Sequence, residues 1–600
     1  MCGIFGFSGP PDPALLAAMA ERLHHRGPDE RGTWSSPQLS LGCDRLSIVA
    51  LADGQQPLTN EDGSLVLVHN GEIYNHRALR QELELRGHRF GGGSDGEVIL
   101  HLYEEEGEAA LGRLEGMFAF ALWDERCQRL LLARDPLGIK GLSYTEHEGR
   151  FAFASELKAL LCLPRLPRRL DHQALGWLTA LGSGSPCRTL LAGVLQLPAG
   201  HLLRWEPGLA PRLAAYWRPQ IAADPGASEE ALAGELERRL VAAVESHLMS
   251  EVALGAALSG GLDSSLVVAV MSQLLQTPFK TFTVGFPGER DERPFARRVA
   301  EHCRTDHHEV ILDGEDLLRR LPGLLWSSEE PDRGPLLAHD LLFARAAQDV
   351  RVVLIGEGSD ELFGGYPRLK TALGPAAWLP AASGKAAYLL AQRGTTRAAC
   401  LAPALAEGAA AAAASAPLAR VFEQRGRARG QALLAYEQGE RLPASHLPRV
   451  DRMAMAHSLE ARLPFLDRRV VELANRLPLS CKTRWRGEKH LLRRVARRFL
   501  PTAISERRKL GLANPLRTWV RAGLLDLARD LLRPGAVADR GCFAPRYVER
   551  LLRRVERGTP RPFDLRHLNF IILVEAWHRV FVDPAVPAPP PEDLLLSGGH

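Results

Sequence analysis

A cysteine directly follows the first methionine, in MCGIFGF (1–7). Its side chain is small enough to permit removal of Met1, which leaves a thiol and a free α-amino group on Cys2. Such an amine has a reference pKa of about 7.7–8.0, near enough to neutrality to take the thiol proton without a separate histidine. Position alone does not separate this nucleophile from an incidental thiol. A second chemistry is written into SGGLDSS (259–265), between a strand candidate and a helix candidate. Gly260 and Gly261 let backbone approach phosphate oxygens, and Ser259, Ser264 and Ser265 offer hydroxyls. The next helix turns free N–H groups and a positive dipole end toward the anion. No Gly-Lys-Ser/Thr follows, so this is not a Walker loop. Asp263 repels phosphate, so a Mg²⁺ between them is the sensible arrangement. A third cluster, GEGSDELFGGY (356–366), adds Glu357 and Asp360 after the apolar run VVLI.

The elements that must position these groups change character along the chain. In the first two hundred residues, LVLVH (65–69), MFAFALW (117–123), RLLLA (129–133) and RFAFA (150–154) read as strands between Gly, Asn and Asp turns. Helical patterns interrupt them near 13–24 and 95–106, which predicts stacked antiparallel sheets with helices outside. Around 206–228, EPGLAP and ADPGAS predict a linker. Ser228 then reads as an N-cap, followed by two acids and by Leu232, Leu236, Leu240, Val244 and Leu248 at four-residue spacing. ALGAAL, FKTFTVGF and VRVVLIG read as strands that alternate with helices, the signature of a parallel α/β sheet. The Ala-rich stretch 376–418 reads as helical, and the Pro-rich tail after Asp583 as disordered.

Six hundred residues exceed one hydrophobic core, so two or more domains are expected. A net charge of +4, with Arg interleaved among acids, gives no reason to expect nucleic-acid or membrane partners. No apolar run reaches the ~18 residues that span a bilayer, and the start lacks a basic n-region, so a cytoplasmic protein is expected. The nine cysteines contain no C-x-x-C pair, and all but Cys2 read as buried small hydrophobes or incidental thiols. The pairs His24–His25 and His307–His308 lack i, i+4 spacing and a cysteine partner, and read as structural.

MCGIFGF, HRGPDE, DRLSIV, HNGEIYNH, GSDGEVIL, EGMFAFALWD and ARDPLGIK occur in this order. Together they resemble the glutaminase domain of the N-terminal-nucleophile (class II) amidotransferases. SGGLDSS resembles the pyrophosphate loop of ATP pyrophosphatases. GEGSDELFGGY, VDRMAMAHSLEARLPFLD, GEKHLLRR and KLGLANPLRTW extend the resemblance to the glutamine-hydrolysing asparagine synthetase family over nearly the whole chain. The fold implied is an α+β αββα sandwich, followed by an α/β parallel-sheet ATP pyrophosphatase-like domain with added helices. The expected division is 2–205, a linker over 206–227, 228–583, and a tail over 584–600.

The resemblance implies roles position by position. Cys2 attacks glutamine, with the Asn70 side-chain amide and the Gly71 N–H as oxyanion hole; Gly71 also suits a tight turn after strand 65–69. Arg45 clamps the glutamine α-carboxylate, Asp95 and Glu72 its α-ammonium, and Leu46, Ser47, Ile48 and Val49 complete the glutamine site. ATP is implied at Leu258, Ser259, Gly260, Gly261, Asp263, Ser264, Ser265, Val284, Ile355 and Gly356. Asp263 and Asp360 are the implied Mg²⁺ ligands. Glu357 orients or deprotonates the incoming amine, and Lys489 stabilises charge in adenylation and amidation. Ala50, Gly141, Ser143 and Ile355 depart from the family pattern; at Ile355, where Ser is common, only the backbone can serve ATP. Glutamine, ATP and aspartate are the implied substrates, and a homodimer is common in the family. Two alternatives stay open: a tailoring enzyme that amidates a peptide, natural-product or polysaccharide carboxylate, and a catalytically idle relative. Cys2 argues against the β-lactam-forming relatives, and SGGLDSS against phosphoribosyl amidotransferases.

Overall fold

The computed structural model describes the chain except for residues 223–225, 286–290, 313–314, 367–368, 370–378, 381–400, 404, 408–415, 485–486, 511–513, 562, 584–589 and 591–600. The tail and most of the Ala-rich stretch therefore lie outside the described residues; the stretch ends in the helix Ala416–Glu423.

The alternating runs of the first half become twelve strands: β1 (Cys2–Ser8), β2 (Glu30–Ser35), β3 (Leu39–Arg45), β4 (Leu58–Thr59), β5 (Leu65–Ile73), β6 (Gly116–Asp124), β7 (Arg129–Arg134), β8 (Ser143–His147), β9 (Arg150–Ala154), β10 (Val194–Gln196), β11 (His201–Trp205) and β12 (Arg212–Ala215). They form two antiparallel six-stranded sheets, ordered β10-β8-β9-β1-β3-β2 and β12-β11-β7-β6-β5-β4. Period-two alternation sorts their side chains into layers. Ile4, Leu41 and Phe153 of the first sheet meet Val66, Val68, Ala119 and Leu132 of the second. Phe5 and Phe7 point the other way, to the helix Pro13–Leu23, while Leu65, Leu67, Phe118 and Phe120 pack on the helices His76–Leu85 and Glu97–Glu106. This is the αββα sandwich. Two expectations need correction. The segment read as linker carries β12, which extends the second sheet by pairing with β11. Gly71 lies inside β5, paired with Phe118, and not in a turn.

Ser228 caps the helix Glu229–His247, its hydroxyl accepting the Ala231 N–H at 3.2 Å. Beyond it, β13 (Leu254–Ala257), β14 (Lys280–Gly285), β15 (Asp306–Ile311), β16 (Val352–Leu354) and β17 (Glu460–Arg462) form an all-parallel sheet ordered β15-β14-β13-β16-β17. Strand order reverses between β13 and β16, the crevice where open α/β sheets bind ligands. β15 was not foreseen, because DHHEVI alternates polar residues along an edge. His307 and His308 lie on it, bonded to Thr281 and to Lys280 and Arg345. Among the described residues no helix is long and apolar enough to cross a membrane.

Candidate active sites

The first site is built by strand register. β1 and β3 pair so that Cys2 lies opposite Arg45, and the alternation that sends Val66 and Val68 between the sheets sends Asn70 there too. Asn70 is fully buried, and its Oδ1 accepts the Cys2 backbone N–H at 3.0 Å. That bond fixes the amide so that Nδ2, which has no hydrogen-bond partner among the described residues, is a ready donor. A buried donor left unpaired costs about 1–3 kcal/mol, a cost that a ligand oxygen would relieve. At Gly71 (φ +153°) a Cβ would sit 2.0 Å from the Met117 carbonyl oxygen, so only glycine fits this strand position.

The Cys2 thiol is 97% buried, yet its pKa is lowered to about 7. A hydrogen bond from Cys43 is the largest cause; burial opposes it, and the Met1 ammonium and Arg45 assist. Burial, with the neighbouring Cys2, pushes Cys43 itself well up, so it stays a protonated donor. Cys43 was read as incidental; period-two spacing on β3 against Ile4 on β1 was the available signal. Gln56 Nε2 lies 3.5 Å from the Cys2 sulfur and 2.9 Å from the His69 carbonyl oxygen.

Arg45 is buried, bonded to Glu30 at 2.7 Å and to the carbonyls of Val49 and Ala50 at 2.9 and 2.8 Å. Ala50 adopts a left-handed φ of 54°, which Asp tolerates better than Ala, so this departure from the family pattern carries local strain. The loop Leu46–Val49 is held by Leu46 bonding both ends of Met1 and by Glu251, whose N–H reaches Ile48 O at 3.0 Å. The Ser47 hydroxyl is buried without a hydrogen-bond partner among the described residues. Asp95 accepts the Ile73 N–H at 2.6 Å. Glu72 faces Arg462 of β17 at 3.4 Å, on the boundary with the second half. Burial, reinforced by Asp95 and Glu460, raises its pKa well above the carboxylate range. Ser143 starts β8, opposite Ala154 and Gln196, and Gly141 lies two residues before it.

The second site is built by loops at the carboxyl ends of β13 and β16. A cavity of about 400 Å³ opens there, lined among others by Leu258, Ser259, Gly261, Asp263, Ser264, Val284, Ile355, Gly356, Glu357, Asp360 and Lys489. Gly260 (φ +68°) and Gly356 are close-packed: a Cβ would come 2.5 Å from Ala296 N and 2.6 Å from Ser264 N respectively. Ser265 lies on the helix Leu262–Leu275, buried, with no hydrogen-bond partner for its hydroxyl among the described residues. The Lys489 ammonium sits between the carboxylates of Asp263, at 2.6 Å, and Asp360, at 2.5 Å. Burial works against its charge, but these two carboxylates hold its pKa well up. Lys509 also pairs with Asp360, and Ser359 donates to Asp263 at 2.8 Å. Two hard carboxylates already gathered around one cation fit a divalent magnesium ion. Burial disfavours a charged Glu357, yet the His446 hydrogen bond at 3.1 Å and the nearby Arg449 hold it down at about 2.

One short helix, Leu447–Met455, touches both sites. Arg449 and Val450 line the cavity, while the next residue, Asp451, receives Arg26 at 3.0 Å and Lys140 at 3.1 Å from the first half. Arg26 in turn donates to the Cys2 carbonyl oxygen at 3.1 Å. Beside it, Glu460 of β17 lies 3.6 Å from the Met1 ammonium. Arg26, Glu460 and Arg462 sat inside recognised motifs without an assigned role, because their partners lie hundreds of residues away. Ser359, Lys509, His446 and Arg449 were also missed, because their partners come from other elements of the fold.

The arrangement agrees with comparisons to known proteins. The asparagine synthase family model matches residues 235–579, and the glutamine amidotransferase domain model matches residues 1–217. A putative glutamine-hydrolysing asparagine synthetase of Mycobacterium tuberculosis is 34% identical, covering 98% of each chain. Asparagine synthetase 1 of Bacillus subtilis is 30% identical over 97% of each. A Gibberella zeae protein named Amidase chry2 is also 30% identical, over 90% of this chain and 93% of its own.

Proposed function

Because the chain belongs to the glutamine-hydrolysing asparagine synthetase family, we propose that it transfers glutamine nitrogen to an ATP-activated carboxylate, that of aspartate, yielding asparagine. Residues 2–205, with β12 from the following segment, carry the glutaminase, and 228–583 the synthetase. Cys2, freed of Met1, gives its thiol proton to its own amine and attacks the glutamine side-chain carbonyl. The oxyanion is held by Asn70 Nδ2 and Gly71 N–H, and collapse to the thioester expels ammonia. Arg45 takes the α-carboxylate, with Asp95 and Glu72 on the ammonium side. Water then hydrolyses the thioester to glutamate.

In the second site an aspartate β-carboxylate oxygen attacks the α-phosphorus of ATP and pyrophosphate leaves. Ammonia then displaces AMP from the acyl-adenylate. Mg²⁺ held by Asp263 and Asp360 would offset phosphate charge. Lys489 stabilises the charge that develops as each bond breaks, and Gly260, Gly261 and Gly356 admit the phosphates closely. Glu357, held ionised at about 2, is better suited to orienting and stabilising a cationic amine than to removing its proton. The carrying observation is Lys489 between Asp263 and Asp360 at the switch point of a parallel sheet, in the chain that sets the free Asn70 amide beside Cys2.

The test is to incubate the protein with glutamine, ATP and Mg²⁺, with and without aspartate, following pyrophosphate, AMP and asparagine. Glutamate release without aspartate-dependent pyrophosphate would sink the aspartate assignment. It would favour a second reading, a tailoring enzyme acting on another carboxylate. That reading is supported by Amidase chry2, which shares the 30% identity of a Bacillus synthetase, over somewhat less of the chain, yet bears a different name.

A further inference from the structure

The turn between β4 and β5, the loop after the helix His76–Leu85, and the helix Glu97–Glu106 converge at one edge of the first half. They bring together Glu61, His88, His101 and Glu104, with one potential ligand atom from each all within 4.8 Å of one another. None of the four takes part in the chemistry proposed above. Most atoms that face the centre lack conventional partners, and His88 Nδ1 has only a long 3.3 Å hydrogen bond to Glu61 Oε1. His101 is completely buried, and neither of its ring nitrogens has a hydrogen bond among the described residues; the same holds for the buried Glu104 Oε2. The other oxygens are spoken for. Glu104 Oε1 accepts the Asn60 amide at 2.9 Å, and Glu61 Oε1 accepts the Arg89 N–H at 2.8 Å.

The spacing separates two explanations. Protonated imidazoles in charge-assisted hydrogen bonds with carboxylates would draw N···O distances to about 2.7–2.9 Å. Here His101 Nδ1 is 3.4 Å from both Glu61 Oε2 and Glu104 Oε2, and His88 Nδ1 is 3.3 Å from Glu61 Oε1 and 3.7 Å from Glu104 Oε2. Four ligands about 2.0–2.2 Å from a central ion at tetrahedral angles stand about 3.3–3.6 Å apart. The two His101 gaps, to Glu61 Oε2 and Glu104 Oε2, match a tetrahedron's edges better than charge-assisted hydrogen bonds, and the widest separation in the cluster, within 4.8 Å, would contract around the ion. An outer partner is also in place: His88 Nε2 meets Glu105 at 3.2 Å, which leaves Nδ1 as the lone-pair nitrogen.

We propose that Glu61, His88, His101 and Glu104 form a structural site for a zinc-type divalent transition-metal ion. Two imidazoles and two carboxylates suit such an ion better than magnesium or calcium, which prefer all-oxygen shells. The ion would tie the β4–β5 turn and the loop carrying His88 to a helix that begins two residues after Asp95. The sequence hides it, since only His101 and Glu104 share a helical i, i+3 spacing.

The test uses the full chain carrying Cys2→Ala, Cys127→Ser and Cys187→Ser, so that a reactive thiol and two exposed ones cannot bind metal. Zn²⁺ is titrated by calorimetry, and crystals soaked in Zn²⁺ are measured at the zinc absorption edge. One anomalous peak bonded to the nitrogens of His88 and His101 is expected, with one equivalent bound. His88→Gln, on the partly exposed rim, should lose that equivalent. Glu105→Gln, which keeps all four ligands, should weaken it by about 10-fold or more. A zinc-dependent rise in Tm should disappear in His88→Gln. An anomalous map without a peak at this cluster overturns the proposal, as does unchanged affinity in a folded His88→Gln protein.

Discussion

The two sites solve opposite problems. Around Cys2 the groups are few and dry, positioned by antiparallel register, and the Asn70 amide keeps a donor unpaired among the described residues. Around Lys489 they are charged and redundant: Asp263 and Asp360 share one ammonium, Lys509 adds a second, and Ser359 braces the cluster from the start of a short helix. The difference follows the chemistry expected of each. An oxyanion needs one or two donors that do not reorganise, which strands supply. A triphosphate with its metal carries several charges that change along the reaction, which flexible loops at a sheet's switch point can accommodate.

The sharpest break in that comparison is Cys2→Ala. It should reduce glutamine hydrolysis to background, measured as glutamate release, while synthesis from added ammonia continues. Lys489→Met should do the reverse, lowering ATP-dependent pyrophosphate release by about 10²–10³-fold or more with glutamine hydrolysis retained. Asn70→Ala should slow hydrolysis by about 10²–10³-fold, since one dry donor carries most of the stabilisation. Ser359→Ala, inside the redundant cluster, should cost only about 1 kcal/mol, a several-fold change in pyrophosphate release.

Asp451→Ala addresses the helix that joins the sites. It strips the counter-charge from buried Arg26 and Lys140 and should destabilise the fold by about 3–5 kcal/mol, read from denaturant midpoints. The smallest effect is in pH. In the chain that retains Met1, where the Cys2 thiol is at about 7, its alkylation rate should rise with pH to a midpoint near 7, falling tenfold per unit below it. Cys43→Ala removes the hydrogen bond that lowers that pKa, and should move the midpoint upward.

Much of this was legible in the chain. The runs at 65–69, 117–123, 129–133 and 150–154 become β5, β6, β7 and β9, and the capped helix after Ser228 forms where its leucines recur. Of the candidate site, Asp263, Glu357, Asp360 and Lys489 line one cavity, although they come from three separate segments of the chain. What stayed illegible has a common cause. β12 and β15 are edge strands whose polar residues break the alternation, and the role of Gly71 depends on how closely the Met117 carbonyl approaches. Cys43 acquires significance only through its strand neighbour, and Glu72 faces a guanidinium from residue 462.

Residue type and local periodicity therefore determined which chemistries this protein can hold, because a thiol with its own amine, a glycine-rich phosphate loop and a period-two strand are properties of short segments. The tertiary structure decided how they are connected. Arg26 reaching Asp451, Glu460 reaching Met1, and two histidines meeting two glutamates across a turn, a loop and a helix are contacts between segments far apart in sequence. Local propensity carries no information about such pairings. They arise when burial of the apolar faces brings the segments together, and each buried charge must then find its partner or lose its place in the core.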